Sequence, residues 1–125
     1  NSKALYRSKH TSPSAAVATI PSCANVVMGM AAAQPPALLD ALARRVEAGE
    51  LEQLNLWYFH SMECAAQGIL RYALLDRVRP HCMFLTKIER ELIKRGESEG
   101  RDAIEFVPVA FSGSTHSPPM KFLCW

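Results

Sequence analysis

Two short stretches of this sequence combine histidine, cysteine and glutamate, the side chains that most often serve as acids, bases and nucleophiles. His60 precedes Glu63 and Cys64, and His81 is followed directly by Cys82. A cysteine activated by a histidine base is the arrangement of thiol enzymes, provided that the two side chains touch. Closeness along the chain does not establish contact, and an isolated cysteine is more often a buried, inert thiol. A small Cys/His thiol enzyme using Cys64 and His60 is therefore one hypothesis.

The segment 29–36 is a second candidate, because a small-residue loop that runs into a helix start lets backbone N–H groups approach an anion. The segment has neither a GxGxxG pattern nor the Lys-Ser/Thr of a phosphate-binding loop, and its two prolines remove donors that such a site would use. The alternative is a tight strand-to-helix turn with its alanines packed inside.

The apolar pattern around these candidates predicts strands that alternate with helices. We expect strands at 25–28, 54–59, 81–85 and 104–109. Helices are expected from Pro13 with Ser12 as its cap, from Pro35, after Gly68, and from the capping box 86–89. Gly49 and Gly96 are placed to end two of them. Such alternation indicates an α/β fold with a parallel sheet in a Rossmann-like layered domain.

In an open parallel sheet, ligands bind beyond the carboxyl ends of the strands. That rule selects the loop after the first predicted strand, the end of the second strand, and Thr86 after the third. The candidate cleft-wall residues from the first two places are Gly29, Met30, Ala31, Gln34, Pro35, His60 and Ser61.

Composition excludes several classes of function. The 125 residues carry 14 Lys+Arg against 12 Asp+Glu with both signs mixed, so no one-sided basic surface indicates nucleic-acid binding. No segment is long and apolar enough to predict a membrane span or a signal peptide. The four cysteines show neither zinc-ligand spacing nor a secretory context, so we expect free thiols, no metal and a cytoplasmic location.

The order of short motifs resembles the opening of the acetyl-CoA hydrolase/CoA-transferase family, which includes 4-hydroxybutyrate CoA-transferases. The matching features run nearly the whole chain: Tyr6-Arg7-Ser8-Lys9, Ala15-Ala16-Val17 through Ile20, Ser22, Val26-Val27, Gly29, Pro35-Pro36 before Leu38-Leu39, Arg90 to Gly96, and Val107-Pro108-Val109. Cys23 stands where the family usually has glycine, which implies an altered turn before the first strand.

The resemblance implies transfer of CoA between an acyl-CoA and a small carboxylate such as acetate, succinate or 4-hydroxybutyrate, through a glutamyl-CoA intermediate. In members of the family that glutamate lies in the second domain, which this chain does not include, so no residue here is assigned as catalytic. CoA would be a substrate rather than a bound cofactor. This chain would supply one wall of the cleft and pair with the remaining, C-terminal domain.

The resemblance divides the chain into an incomplete α/β domain at 1–111 and a loop with an atypical tail at 112–125, as in a fragment or truncation. The chain alone is then expected to be inactive. A further hypothesis is that the chain is a catalytically silent α/β fragment, which acts only by pairing with a partner domain. The sequence does not decide whether the chain forms a homo-oligomer.

Overall fold

Strands and helices alternate along the chain, as the apolar pattern predicts. A computed structural model describes residues 1–108 and the backbone of 121–123. Within them the helices are α1 (Ser2–Lys9), α2 (Pro13–Val17), α3 (Pro36–Glu47), α4 (Glu63–Ala66) and α5 (Lys87–Ser98), with 3₁₀ turns at Ala31–Ala33 and Tyr72–Leu74. The strands are β1 (Ala24–Met28), β2 (Leu54–Tyr58), β3 (Val78–Cys82), β4 (Glu105–Phe106) and β5 (Lys121–Leu123).

All neighbouring strands in the sheet are parallel, in the order β4-β3-β2-β1-β5. The predicted α/β fold with a parallel, Rossmann-like sheet is therefore confirmed. From β1 to β4 each new strand joins the same side, whereas β5 joins the opposite side of β1. Such a reversal of strand order opens a crevice at the carboxyl ends of the strands, where ligands of open α/β sheets bind. Here the strand order reverses between β1 and β5, so this rule selects the region beyond Met28.

The core lies between the sheet and α3. Leu54, Leu56 and Tyr58 alternate along β2 and are buried, while the residues between them are half-buried. Leu39 and Leu42 on α3 are fully buried against this face. Removing such a leucine side chain from water contributes about 2 kcal/mol. The crossovers from β1 to β4 all add the next strand on the same side. Because such crossovers are right-handed, they place their helices on one face of the sheet. One face of β2 is therefore covered, and the other is half-exposed.

The third strand begins three residues earlier than predicted, and the helix predicted after Gly68 is wrong. The chain forms α4 before Gly68 and a single 3₁₀ turn after it, and then enters β3 at Val78. Proline cannot donate a backbone hydrogen bond to a sheet and is therefore unusual within a strand. The structure tolerates Pro80 within β3 because β4 pairs only with His81 and Cys82, which leaves β3 an edge strand at Pro80.

Two glycines predicted to end helices behave differently. Gly49 follows α3 with a φ of 76°, the left-handed conformation expected at a helix end. Gly96 instead lies inside α5, which continues to Ser98. A Cβ on Gly96 would lie 2.4 Å from the carbonyl oxygen of Arg101, so glycine serves the close approach of the following loop. The predicted helix end at Gly96 is therefore wrong.

The capping predictions are confirmed. Ser12 caps α2 by accepting a hydrogen bond from the backbone N–H of Ala15 at 3.2 Å. The capping box of α5 forms as expected, with the backbone N–H of Thr86 donating to Glu89 Oε2 at 2.9 Å. Both helices thus begin where local side-chain chemistry satisfies backbone donors that have no partner within the helix.

Cys23, Cys64 and Cys82 are free thiols, as expected from their spacing. In the part of the chain that the structure describes, no helix is long and apolar enough to cross a membrane. The predicted boundary at 111 and most of the tail lie outside the described residues; within the tail, 121–123 form β5.

Candidate functional site

Three aromatic rings meet beyond the carboxyl ends of β2 and β3. The rings of Phe59 and Phe84 are parallel, with centroids 6.2 Å apart and an interplanar angle of 2°. His60 presents its ring edge-on to both of them, with centroid distances of 6.2 and 6.4 Å. We call these three residues the aromatic shelf. Phe84 is 57% exposed, so the shelf is an accessible surface rather than part of the core.

Two methionines extend the apolar surface at this end of the domain. Met30 follows β1 and is 45% exposed, and Met62 follows the shelf and is 44% exposed. Methionine side chains are flexible and polarisable, so they adapt to varied apolar ligands. The carboxyl edge of the sheet therefore offers an uncharged surface of thioether and aromatic groups.

The fully buried carboxylate of Glu89 binds the segment that follows the aromatic shelf. Glu89 is completely inaccessible and accepts hydrogen bonds from the hydroxyl groups of Ser61 and Thr86 as well as from the Thr86 backbone. The bond from Ser61 ties the segment after β2 to the start of α5. A buried carboxylate requires such partners, and the helix N-terminus also favours its negative charge.

Tyr58 and Cys82, which lie near Glu89, are unsuited to acid–base catalysis at neutral pH. Burial raises the pKa of Tyr58 far above its usual value, with further contributions from Cys82 and Glu89. Burial also raises the pKa of the Cys82 thiol to about 11, and a backbone hydrogen bond with Phe84 opposes that rise. At neutral pH both groups stay protonated, so this buried cluster holds the edge of the sheet in place.

The predicted cleft-wall residues divide into exposed and buried positions. Met30 is exposed, and Gly29, Ala31, Pro35 and His60 are half-buried. Gln34 and Ser61 are 4% exposed and point inward, where Gln34 binds the segment after β2 and Ser61 binds Glu89. These two are therefore supports beneath the surface rather than parts of the wall.

The loop between β1 and α3 is folded tightly. A Cβ on Gly29 would lie 2.4 Å from the carbonyl oxygen of Ala33, so only glycine fits there. Ala31 has a φ of 48°, a left-handed conformation that costs a residue with a Cβ about 1 kcal/mol. The turn is thus tight, as the alternative predicts, but Ala32 and Ala33 are exposed, so its alanines are not packed inside.

Neither histidine–cysteine combination is assembled. Cys64 Sγ lies 3.7 Å from Gln34 Oε1, while the ring of His60 packs against phenylalanine rings. His81 and Cys82 are neighbours in β3, so their side chains point to opposite faces of the sheet. His81 stacks on Trp57 at 4.0 Å, and burial lowers its pKa, opposed by Glu105 and assisted by Arg79. Among the described residues, no cluster of histidine, cysteine and acidic groups could hold a metal ion.

Sequence reasoning places Phe59 at the end of the second predicted strand, within the predicted cleft wall, but it misses Phe84 and the buried state of Glu89. Phe84 is the penultimate residue of the third predicted strand, and this position near the end of a neighbouring strand is a usable signal. Glu89 was assigned only to the capping box. No local pattern reveals that its carboxylate also receives the hydroxyl of Ser61, which lies 28 residues away.

The chain is similar in fold and sequence to RipA from Yersinia pestis. The match has a TM-score of 0.85 and 45% identity, and it covers 90% of this chain and 26% of that one. A glutamate-to-valine variant of RipA matches with a TM-score of 0.86 at 45% identity, and a phenylalanine-to-methionine variant with 0.86 at 43%, each with the same coverage of both chains. The present chain thus spans about a quarter of the length of the structures that it matches.

No family model matches the sequence, and the search of curated proteins gave no match. The assignment to the acetyl-CoA hydrolase/CoA-transferase family is therefore corrected: the similarity found is to RipA. The motifs behind that assignment were short and individually unspecific, so their order alone could not identify a family.

Proposed function

We propose that this chain is the N-terminal part of an enzyme that moves CoA between an acyl-CoA and a small carboxylate, or hydrolyses the acyl-CoA. In this proposal the chain supplies the wall of the cleft that receives the acyl group and the adjoining arm of CoA. The observation that carries the proposal is the aromatic shelf with Met30 at the carboxyl edge of a parallel sheet, beside the reversal of strand order. The proposed compartment is the cytoplasm, where the free thiols of this chain are stable.

The chemistry of the surface supports an acyl-CoA ligand. An acyl chain and the pantetheine arm are largely apolar and uncharged, and they match rings and thioethers better than they match ion pairs. The shelf carries no acidic or basic side chain other than His60. Burying a methylene group of the ligand against it would contribute about 0.8 kcal/mol, so affinity should rise with acyl length.

The variants made in RipA also support the position of the site. One RipA variant replaces a methionine with glycine, and another replaces a phenylalanine with methionine. Along the RipA sequence these two positions are separated by the same number of residues as Met30 and Phe59 are here. The glutamate replaced by valine directly follows that phenylalanine, as His60 follows Phe59. Equal spacing in chains that are about 45% identical supports a correspondence, with histidine here in place of that glutamate.

The nucleophile of the proposed reaction lies outside this chain. A glutamate would attack the thioester carbonyl and release CoA thiolate, which leaves an acyl-glutamyl anhydride. The thiolate would then attack the glutamyl carbonyl, which breaks the anhydride C–O bond, forms glutamyl-CoA and releases the acyl group as its carboxylate, and an incoming carboxylate would reverse these steps. Glu89 cannot serve, because its oxygens are buried and already accept hydrogen bonds. In RipA another glutamate, which comes much later in that chain, has been replaced by aspartate and by alanine.

Binding of acetyl-CoA and butyryl-CoA to the purified chain, measured by calorimetry, tests the proposal. We expect saturable binding that is tighter for butyryl-CoA, and about fivefold weaker binding after Phe84→Ser. Tyr6→Ser is the matched control, because Tyr6 is an exposed aromatic residue on α1. Equal effects of the two substitutions, or no saturable binding, would contradict the proposed site.

A CoA-exchange assay separates binding from catalysis. With acetyl-CoA and a labelled carboxylate, we expect no exchange by this chain alone and exchange by full-length RipA. Exchange by this chain alone would contradict the claim that the nucleophile lies outside it.

The silent-fragment hypothesis has one observation in its favour. The face of the sheet that carries Asn25, Asn55 and Trp57 is half-exposed, and parallel sheets are usually covered on both faces. Concentration-dependent self-association, together with no binding of acyl-CoA, would favour this hypothesis over the proposed function.

A further inference from the structure

The side-chain amide of Gln34 bridges two loops that are far apart in sequence. Its Nε2 donates to the carbonyl oxygen of His60 at 2.9 Å, and its Oε1 accepts from the backbone N–H of Met62 at 3.1 Å. Gln34 itself is only 4% exposed and lies directly before Pro35 at the start of α3. One amide group therefore pairs with the chain after β2 as a neighbouring strand would.

The segment 60–62 has no regular structure of its own and depends on these contacts. Gln34 holds the backbone on both sides of Ser61, while Glu89 holds the Ser61 side chain. His60, the first residue of this segment, is part of the aromatic shelf. The position of the shelf is thus set by an amide group in the loop after β1.

The pattern of one donor and one acceptor is essential to this bridge. Among side chains of this length, the amide supplies both roles at neutral pH, whereas an ionised carboxylate only accepts. An ionised carboxylate could still accept from Met62, but it would face the carbonyl oxygen of His60 without a proton between them. A protonated carboxylic acid restores both roles, because its hydroxyl donates and its carbonyl accepts.

We propose that Gln34 is a positioning residue that locks the segment after β2 against the loop after β1 and so holds the aromatic shelf in its ligand-binding conformation. Gln34 acts through the backbone of His60 and Met62 and does not itself touch the ligand. The ligand part of this inference rests on the proposed function, whereas the bridge can be tested without any ligand.

The test compares wild type, Gln34→Glu and Gln34→Met at about pH 4.5 and pH 8, on either side of the range where a buried glutamate titrates. The first readout is the carbon-13 signal of the His60 carbonyl, which moves when the carbonyl loses its donor. The second is the affinity for butyryl-CoA. Gln53→Glu is the matched control, because Gln53 is exposed at the opposite end of β2.

We expect Gln34→Glu to match wild type at the lower pH, and at the higher pH to lose about tenfold in affinity and show a displaced His60 carbonyl signal. Gln34→Met should be impaired at both pH values. The ionisable side chains near the bridge, His60 and Cys64, are present in every variant, so the comparison between variants removes their contribution. A residue that only fills space would not produce recovery at low pH.

A Gln34→Glu variant with the same carbonyl signal and affinity at both pH values would overturn the inference, as would a Gln34→Met variant that matches wild type. If Gln34→Met does not fold, the two pH values of Gln34→Glu still decide the question. If wild type itself fails to bind butyryl-CoA, the proposed function fails, and the carbonyl signal alone decides whether the bridge exists.

Discussion

Replacing Glu89 with glutamine tests whether the buried carboxylate stabilises the edge of the sheet that carries the shelf. In the wild type its two oxygens receive two hydroxyl donors and one backbone N–H. Hydrogen bonds to a charged group contribute about 1.5–3 kcal/mol each. Glutamine keeps one acceptor oxygen and turns an NH₂ group toward donors, so at least one such bond is lost.

The neutral amide also costs less to bury than the carboxylate, and this gain offsets part of the loss. We therefore expect Glu89→Gln to lower the free energy of unfolding by about 1–3 kcal/mol, a large share of the roughly 5–15 kcal/mol of a typical domain. Equilibrium unfolding in urea, followed by circular dichroism, measures this difference. Glu91→Gln is the control, because Glu91 lies on the same helix with its side chain 66% exposed and a 3.6 Å ion pair to Lys87. Its effect should stay below about 0.5 kcal/mol.

A double-mutant cycle with Ser61→Ala separates the loop contact from the helix cap. Because Ser61 and Glu89 bind each other, the two substitutions should be non-additive by about 1 kcal/mol. A loss below about 1 kcal/mol for Glu89→Gln, or full additivity with Ser61→Ala, would refute the argument that Glu89 ties the segment after β2 to α5.

Two other predictions concern the cysteines. Cys23 has a φ of 62° and is exposed, so Cys23→Gly should raise the free energy of unfolding by about 0.5–1 kcal/mol, whereas Cys23→Ala, which keeps the Cβ, should bring no gain; a gain from alanine in urea unfolding would contradict this account. Because the pKa of Cys82 is raised to about 11, its thiolate is below about 0.1% at pH 7.5, and iodoacetamide should label Cys23 and leave Cys82 unmodified until the chain unfolds. Labelling of Cys82 should increase as the pH rises toward that pKa. Equal rates of labelling for Cys23 and Cys82 at neutral pH, measured by mass spectrometry, would contradict the buried position of Cys82.

Local chemistry was enough to predict many elements of the fold. The runs 25–28 and 54–59, the cap at Ser12, the capping box at Thr86 and the helix end at Gly49 are short-range signals, and each is confirmed. Their alternation also predicted a parallel sheet, because parallel neighbours need a long crossover connection, which is usually a helix.

The predictions that failed depended on distant parts of the chain. Pro80 is compatible with β3 only because β4 is too short to pair there, and the sequence of β3 does not contain that information. Gly96 is inside a helix because the loop at Arg101 returns close to it. The local signal at Gly96 predicts a helix end, and the contact with the loop at Arg101 overrides it.

The candidate site shows the same division. The sequence by itself placed Met30, Gln34, His60 and Ser61 at the carboxyl ends of two strands, since a strand's end is a local property and a parallel sheet gathers such ends at one edge. Only the tertiary structure decided which of them face solvent and which lie beneath. Gln34 and Ser61 point inward because their partners, the backbone around His60 and the carboxylate of Glu89, are at least 26 residues away. Hydrogen bonds across such separations depend on how the loops meet in space, and no short-range pattern encodes that meeting.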